Sequence, residues 1–126
     1  MNKTQTILLV AHGSRKKEAN EEVKQLAQVL EKKIKHPIKA VFLELAEPSI
    51  EQGIDAACQN DFKKILILPY FLSQGRHVHQ DIPRLIQTKQ KKFPNTTIQL
   101  LDYVGKSPGM EKLLASLMTE ALLKTD

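Results

Sequence analysis

The sequence predicts a three-layer α/β domain built on a four-stranded parallel sheet. Four short apolar runs alternate in strict order with four amphipathic stretches. The runs are rich in branched residues and continuous, as in strands covered on both faces, and proline and serine signals separate the segments. A βαβαβαβα order calls for right-handed crossovers and helices on both sides of the sheet. The arrangement expected is flavodoxin-like, strand order 2-1-3-4, with the switch point between the first and third strands.

Residues 6–11 (Thr-Ile-Leu-Leu-Val-Ala) give the first strand. From Ser14 onward the period becomes 3.6, with Ala19, Val23, Leu26, Ala27, Leu30 and Ile34 on one stripe. Pro37 ends that helix, and residues 38–45 read as the second strand. Pro48 suits the first turn of the next helix, whose stripe is Ile50, Ile54, Ala57 and Cys58. Residues 65–68 (Ile-Leu-Ile-Leu) are the clearest buried strand, closed by Pro69, which cannot donate to a central ladder. A loop of about ten residues is expected after it, with the third helix starting near Asp81 or Pro83 and carrying Ile82, Leu85 and Ile86. Residues 98–101 form the fourth strand. Ser107-Pro108 is a helix start, and Met110, Leu113, Leu114, Leu117, Met118 and Ala121 form the last apolar stripe.

At 126 residues the chain reads as one domain over residues 1–126, with 41% hydrophobic and 26% charged residues, ordinary values for a globular protein. No apolar run reaches the roughly 20 residues of a membrane span, and the first residues lack secretory cleavage grammar, so a cytoplasmic location is expected. The single cysteine, Cys58, excludes an internal disulfide and reads as a packed helix residue. A net charge of +5 points to an anionic partner. Lysines spread over several helices, with two Tyr, four Phe and no Trp, leave few stacking platforms for bases. A polycarboxylate small molecule fits the charge equally well; charge alone does not decide between them, and the reading as a whole expects no nucleic acid partner.

Ligands of open parallel sheets bind beyond the carboxyl ends of the strands. There the sequence places His12-Gly13-Ser14-Arg15 after the first strand and Glu44 at the end of the second. The loop after the third strand carries Ser73-Gln74-Gly75-Arg76-His77-Val78-His79. Each residue has a plainer reading: histidines after strands cap loops, and Glu44 can pair with a lysine. Their convergence on one edge weighs against it, while His36, at the opposite edge, reads as surface. Two imidazoles and a carboxylate suit a borderline divalent metal and can accept protons near neutral pH. So few protein ligands leave coordination positions open, as a metal in transit requires.

These blocks resemble the sirohydrochlorin chelatases, the cobalt- and iron-inserting enzymes of the cobalamin and sirohaem pathways. The resemblance is carried by His12-Gly13-Ser14-Arg15 with Ala19-Asn20, and by Phe42-Leu43-Glu44 followed by Pro48-Ser49. Most specific is Leu68-Pro69-Tyr70-Phe71-Leu72 with Gly75-x-His77-Val78-x-x-Asp81-Ile82-Pro83, closing on Val104-Gly105-x-x-Pro108. The length resembles the short form of the family, which implies a homodimer reproducing the cleft of tandem two-domain members. The histidine-rich segment of some members is absent from this sequence.

The resemblance implies that His12 and His77 hold the metal and take part in proton removal, with Glu44 as a third catalytic group. Arg15 and Arg76 would meet substrate carboxylates. Ser14, Ser73, Gln74 and Gly75 complete the implied substrate contacts, turn capping being the competing role for the hydroxyls and the amide. His79 stands where the family pattern is open and is given a supporting place. The implied substrates are sirohydrochlorin and Co²⁺, Fe²⁺ or Ni²⁺, with no organic cofactor and no membrane. The alternative is a phosphocarrier domain of a sugar phosphotransferase system with His12 as phosphoacceptor, in which Glu44 and the Gly75–His77 segment have no task. A histidine phosphatase would need Arg where Ala11 stands, and a metal-binding module without catalysis is the remaining rival.

Overall fold

The computed structural model describes residues 4–125, apart from the side chains of Arg76, His77 and Thr125. Strands β1 (Gln5–Ala11), β2 (Ile38–Phe42), β3 (Lys64–Pro69) and β4 (Thr97–Leu100) alternate with helices α1 (Lys17–Ile34), α2 (Ile50–Gln59), α3 (Arg76–Lys92) and α4 (Pro108–Thr125). All strand pairs are parallel and the order is β2-β1-β3-β4, as expected. In register, Leu9 lies between Ala40 and Leu68, and Leu66 between Ile7 and Gln99.

Strand alternation sorts the apolar residues into two layers. On one face Leu8, Val10, Val41, Ile65, Ile67 and Ile98 pack against Ile50, Ile54 and Ala57 of α2 and Ile82 and Ile86 of α3. On the other, Leu9, Ala11, Ala40 and Phe42 meet Ala27, Val23, Leu26 and Leu30 of α1. The Lys89 ammonium, almost fully buried, donates to Asp55 at 2.8 Å and ties α3 to α2.

Four expectations are corrected. The second strand stops at Phe42, and the chain turns through Leu45 with φ +65°. Pro48 stays outside α2, where Ser49 is the cap: its hydroxyl accepts from the Gln52 amide and the Gln52 side chain accepts from the Ser49 amide. Helix α3 starts at Arg76 rather than near Asp81 or Pro83, so the ten-residue loop shrinks and Pro83 lies inside the helix. An interior proline costs on the order of 3 kcal/mol. The added turn compensates by bringing Val78 onto the core with Ile82 and Ile86, and it closes on the His79 amide donating to the Gly75 carbonyl at 3.1 Å. Finally, α4 forms after Ser107, whose hydroxyl accepts from the Gly109 amide, but its apolar stripe is not buried.

Candidate functional site

The carboxyl ends of β1 and β2 continue pairing one step past the strands. The Leu43 amide donates to the Ala11 carbonyl at 3.0 Å and the Glu44 amide to the His12 carbonyl at 3.1 Å. His12 and Glu44 therefore leave the sheet side by side. Gly13 makes this approach possible: its φ is +93°, and a Cβ there would lie 1.7 Å from the Glu44 carbonyl oxygen. The turn is then held by Asn20 from α1, whose Oδ1 accepts from the Ser14 amide at 2.9 Å while its Nδ2 donates to the Ser14 carbonyl at 2.8 Å. The His12 ring, exposed to solvent, leans on the buried Phe71 ring with centroids 4.4 Å apart and planes 34° from parallel.

His12 and Glu44 both line an open cleft of about 700 Å³, within the ordinary size of small-molecule sites. Its other walls are Leu43, Ser49 and Glu51 from the β2–α2 side and Val78, Asp81, Ile82 and Leu85 from α3. Glu44, Glu51 and Asp81 supply carboxylates, and no Lys or Arg among the described residues lines it. This lining favours a cation in the cleft and leaves the binding of an anionic ligand to residues outside it. Among the described residues no group of three or more His, Cys, Asp or Glu side chains is assembled for a metal.

The remaining sequence-predicted residues divide. His77 is the second residue of α3, adjacent to the cleft-lining Val78; its side chain and that of Arg76 lie outside the described residues. Arg15 and Ser73 are exposed and do not line the cleft. The Ser14 hydroxyl accepts from the Lys16 amide at 3.1 Å, so it is engaged in its own turn. Gly75 is the cap residue of α3, with open space where a side chain would stand. Gln74 and His79 line a separate hollow of about 170 Å³ beside Asp102 and Tyr103, which removes His79 from a place beside His12. His36 sits at the opposite end of the sheet, its Nδ1 3.1 Å from the Ile34 carbonyl, as the surface reading expects.

Sequence reasoning left without a role Asn20, Ser49, Glu51 and Asp81. Asn20, Ser49 and Asp81 stand inside the blocks that carry the resemblance, and spacing offered a signal for Asp81, which falls three residues after Val78 on the same helix face.

An open parallel sheet with an imidazole and carboxylates gathered at its switch point defines a doubly wound α/β protein with a small-molecule cleft of the kind enzymes use. The CbiX family model matches residues 6–121, and the chain belongs to that family. It is 31% identical over 125 residues to a sirohydrochlorin cobaltochelatase of Methanococcoides burtonii, covering 94% of each chain. It is 31% identical over 121 residues to a sirohydrochlorin ferrochelatase of Priestia megaterium, covering 95% of this chain and 44% of that protein. The chain spans less than half the length of the Priestia megaterium and Arabidopsis thaliana ferrochelatases that it matches. Among solved structures, a CbiX protein from Marinobacter aquaeolei VT8, described for cobalamin biosynthesis, superposes with TM-score 0.82 at 28% identity, over 95% of this chain and 98% of that one. The sirohydrochlorin chelatase SirB from Bacillus subtilis subspecies spizizenii, in complex with cobalt, superposes with TM-score 0.79 at 29% identity, over 93% of this chain and 50% of that one.

Proposed function

We propose that this protein inserts Co²⁺ or Fe²⁺ into sirohydrochlorin, the metal being a substrate and no organic cofactor taking part. The observation that carries the proposal is that His12 and Glu44, held side by side by a backbone hydrogen bond, both line one open cleft, in a chain of the CbiX family. The substrate named for its relatives supplies the tetrapyrrole.

In this reading the macrocycle enters the cleft with its pyrrole nitrogens toward His12. The imidazoles of His12 and His77 hold the ion, and they and Glu44 accept the two N–H protons displaced as the metal passes to the ring. Phe71 stands behind the His12 ring, so the imidazole reacts from a supported position. Arg15, exposed at the end of the His12 turn, and Arg76, at the start of α3, meet the peripheral carboxylates from the rim, where the net charge of +5 also assists. The carboxylates Glu44, Glu51 and Asp81 keep the cleft attractive to a cation. The same proposal takes the protein to be a cytoplasmic single domain that pairs as a homodimer and engages neither nucleic acid nor membrane. Among the described residues no helix is long and apolar enough to cross a membrane. No observation favours the phosphocarrier alternative.

The test is the absorption spectrum of sirohydrochlorin followed with Co²⁺, Fe²⁺ and Ni²⁺ in parallel. Metal insertion at rates above the uncatalysed control is expected. His12→Ala and His77→Ala should each remove most of it, at least tenfold, with circular dichroism unchanged. Wild-type protein that binds Co²⁺ without altering the tetrapyrrole spectrum would reduce the site to a metal-binding module.

A further inference from the structure

The hollow that takes in Gln74 and His79 has a chemistry opposite to that of the cleft. It opens beyond the carboxyl ends of β3 and β4, the edge at which open parallel sheets bind their ligands. Gln74 and His79 line it from the loop before α3 and the first turn of that helix, Tyr103 and Lys106 from the connector between β4 and α4. Ile82, 2% exposed, is a wall of both the cleft and the hollow, so the two spaces adjoin at that residue.

The cleft offers carboxylates; the hollow offers hydrogen-bond donors. Lys106 brings an ammonium, Gln74 an amide N–H, and Tyr103 and His79 an O–H and a ring N–H. Among the described residues the side chains of Gln74, His79 and Tyr103 have no hydrogen-bond partner. The Lys106 ammonium pairs only with Asp102, at 3.9 Å and with side chains 63% and 78% exposed. A pair so long and so wet is weak, which leaves the ammonium open to a second partner. Asp102 alone would draw a cation, but Lys106 opposes one. Among the described residues no three His, Cys, Asp or Glu side chains gather to hold a metal there.

Backbone bonds hold the two sides of the hollow in place. The Gly105 amide donates to the Phe71 carbonyl at 2.9 Å, and a Cβ on Gly105 would lie 1.7 Å from the Leu72 carbonyl oxygen. The Lys106 amide donates to the Tyr103 carbonyl at 3.0 Å within the 3-10 turn Val104–Lys106. The connector is thereby fixed against the loop after β3. Donors from two segments are set before a ligand arrives, which lowers the ordering cost of binding.

Volume narrows the choice of ligand. Small-molecule sites usually span about 300–1,000 Å³. The hollow, at about 170 Å³, is too small for a ring system of its own. It equals the space of roughly five or six water molecules at ~30 Å³ each, enough for a carboxylate on a short aliphatic stem. Pro69, Leu100 and Leu101 supply apolar walls for the stem.

We propose that this hollow seats one carboxylate arm of the tetrapyrrole while the ring lies in the cleft, with Lys106, Gln74, His79 and Tyr103 as the donors. The inference rests on the chelatase reading and adds a means of orienting the ring. Gln74 and His79 then act in binding, on the far side of Ile82 from the metal.

Two measurements on the full chain test it. In the first, metal-free sirohydrochlorin is titrated and followed by its fluorescence, beside the same macrocycle with its carboxylates converted to primary amides. Lys106→Gln should weaken binding of the acid about tenfold and leave binding of the amide unchanged. Asp102→Asn, which frees the ammonium, should tighten binding of the acid about threefold. Wild-type affinity in Lys106→Gln overturns the seat. So does the reverse pattern, tighter in Lys106→Gln and weaker in Asp102→Asn, which marks a seat for a cation. In the second, isotope-labelled protein is titrated with propionate and followed by NMR. The Gln74 side-chain amide and the Tyr103 backbone amide should shift to saturation in the wild type and stay still in Lys106→Gln; no shift in the wild type also overturns the seat. Propionate bound there by a protein that leaves sirohydrochlorin unbound would instead overturn the choice of ligand and the chelatase reading with it.

Discussion

The two faces of this sheet are built from the same strands and treated in opposite ways. The face under α2 and α3 is closed from β2 to β4, and its helices also form walls of the functional cleft. The face under α1 is closed only over β2 and β1. The face that positions the chemistry is packed by α2 and α3 out to β4, while on the other face Ile7, Leu66 and Leu68 stay half-buried. Truncations on the first face are therefore expected to cost more stability than truncations on the second.

The sharpest way to break this contrast is to truncate neighbours on β3. Ile67→Ala, at a fully buried position, should cost about 2–5 kcal/mol in urea unfolding at any protein concentration. Next in size is Asp55→Ala, which leaves the buried Lys89 ammonium without its partner between α2 and α3. A loss of about 1.5–3 kcal/mol is expected from the same measurement. Leu66→Ala, one residue from Ile67 but on the half-open face, should cost only about 1 kcal/mol. A Leu66→Ala loss equal to that of Ile67→Ala in dilute protein would erase the distinction.

The smallest effect concerns Cys58, set on α2 at the margin of the closed face. Burial pushes its thiol above the usual value and Asp55 adds to this, while the Thr96 hydrogen bond and Lys89 oppose it. The folded state thus favours the neutral thiol. That contribution to stability is present below about pH 8.5, the ordinary thiol range, and is lost as the pH rises through the raised value. Alkylation by iodoacetamide in native protein should lag behind that in urea and keep accelerating above the pH at which the unfolded thiol has levelled off. Equal rate profiles would show a thiol as open as any on the surface.

The parallel sheet was legible because buried strands such as residues 65–68 are apolar at every position, a pattern an amphipathic strand cannot produce. His12 and Glu44 were legible because strand ends at a switch point converge whatever the loops do. The start of α3 was not, because Pro83 reads as a first-turn residue unless Val78 is counted into the apolar period. The family pattern is open at His79 and so offered no direction for its side chain; on a helix, one residue past Val78, it turns to the other hollow. The stripe on α4 was seen correctly, yet periodicity says only that a face must be covered, not by which chain. Asn20 was visible as a letter in a motif, and only coordinates show both ends of its amide spent on Ser14.

Gly13 sets the gauge of the site. Because the Glu44 carbonyl occupies the space where any other residue would carry its first carbon, the separation between the first two strand ends is fixed by an atom that is missing. Selection can vary the acid at position 44 or the cap at position 49 and leave that frame untouched. A single methyl at position 13 would instead force the strand ends apart, carrying the imidazole away from its neighbours even with every polar group retained.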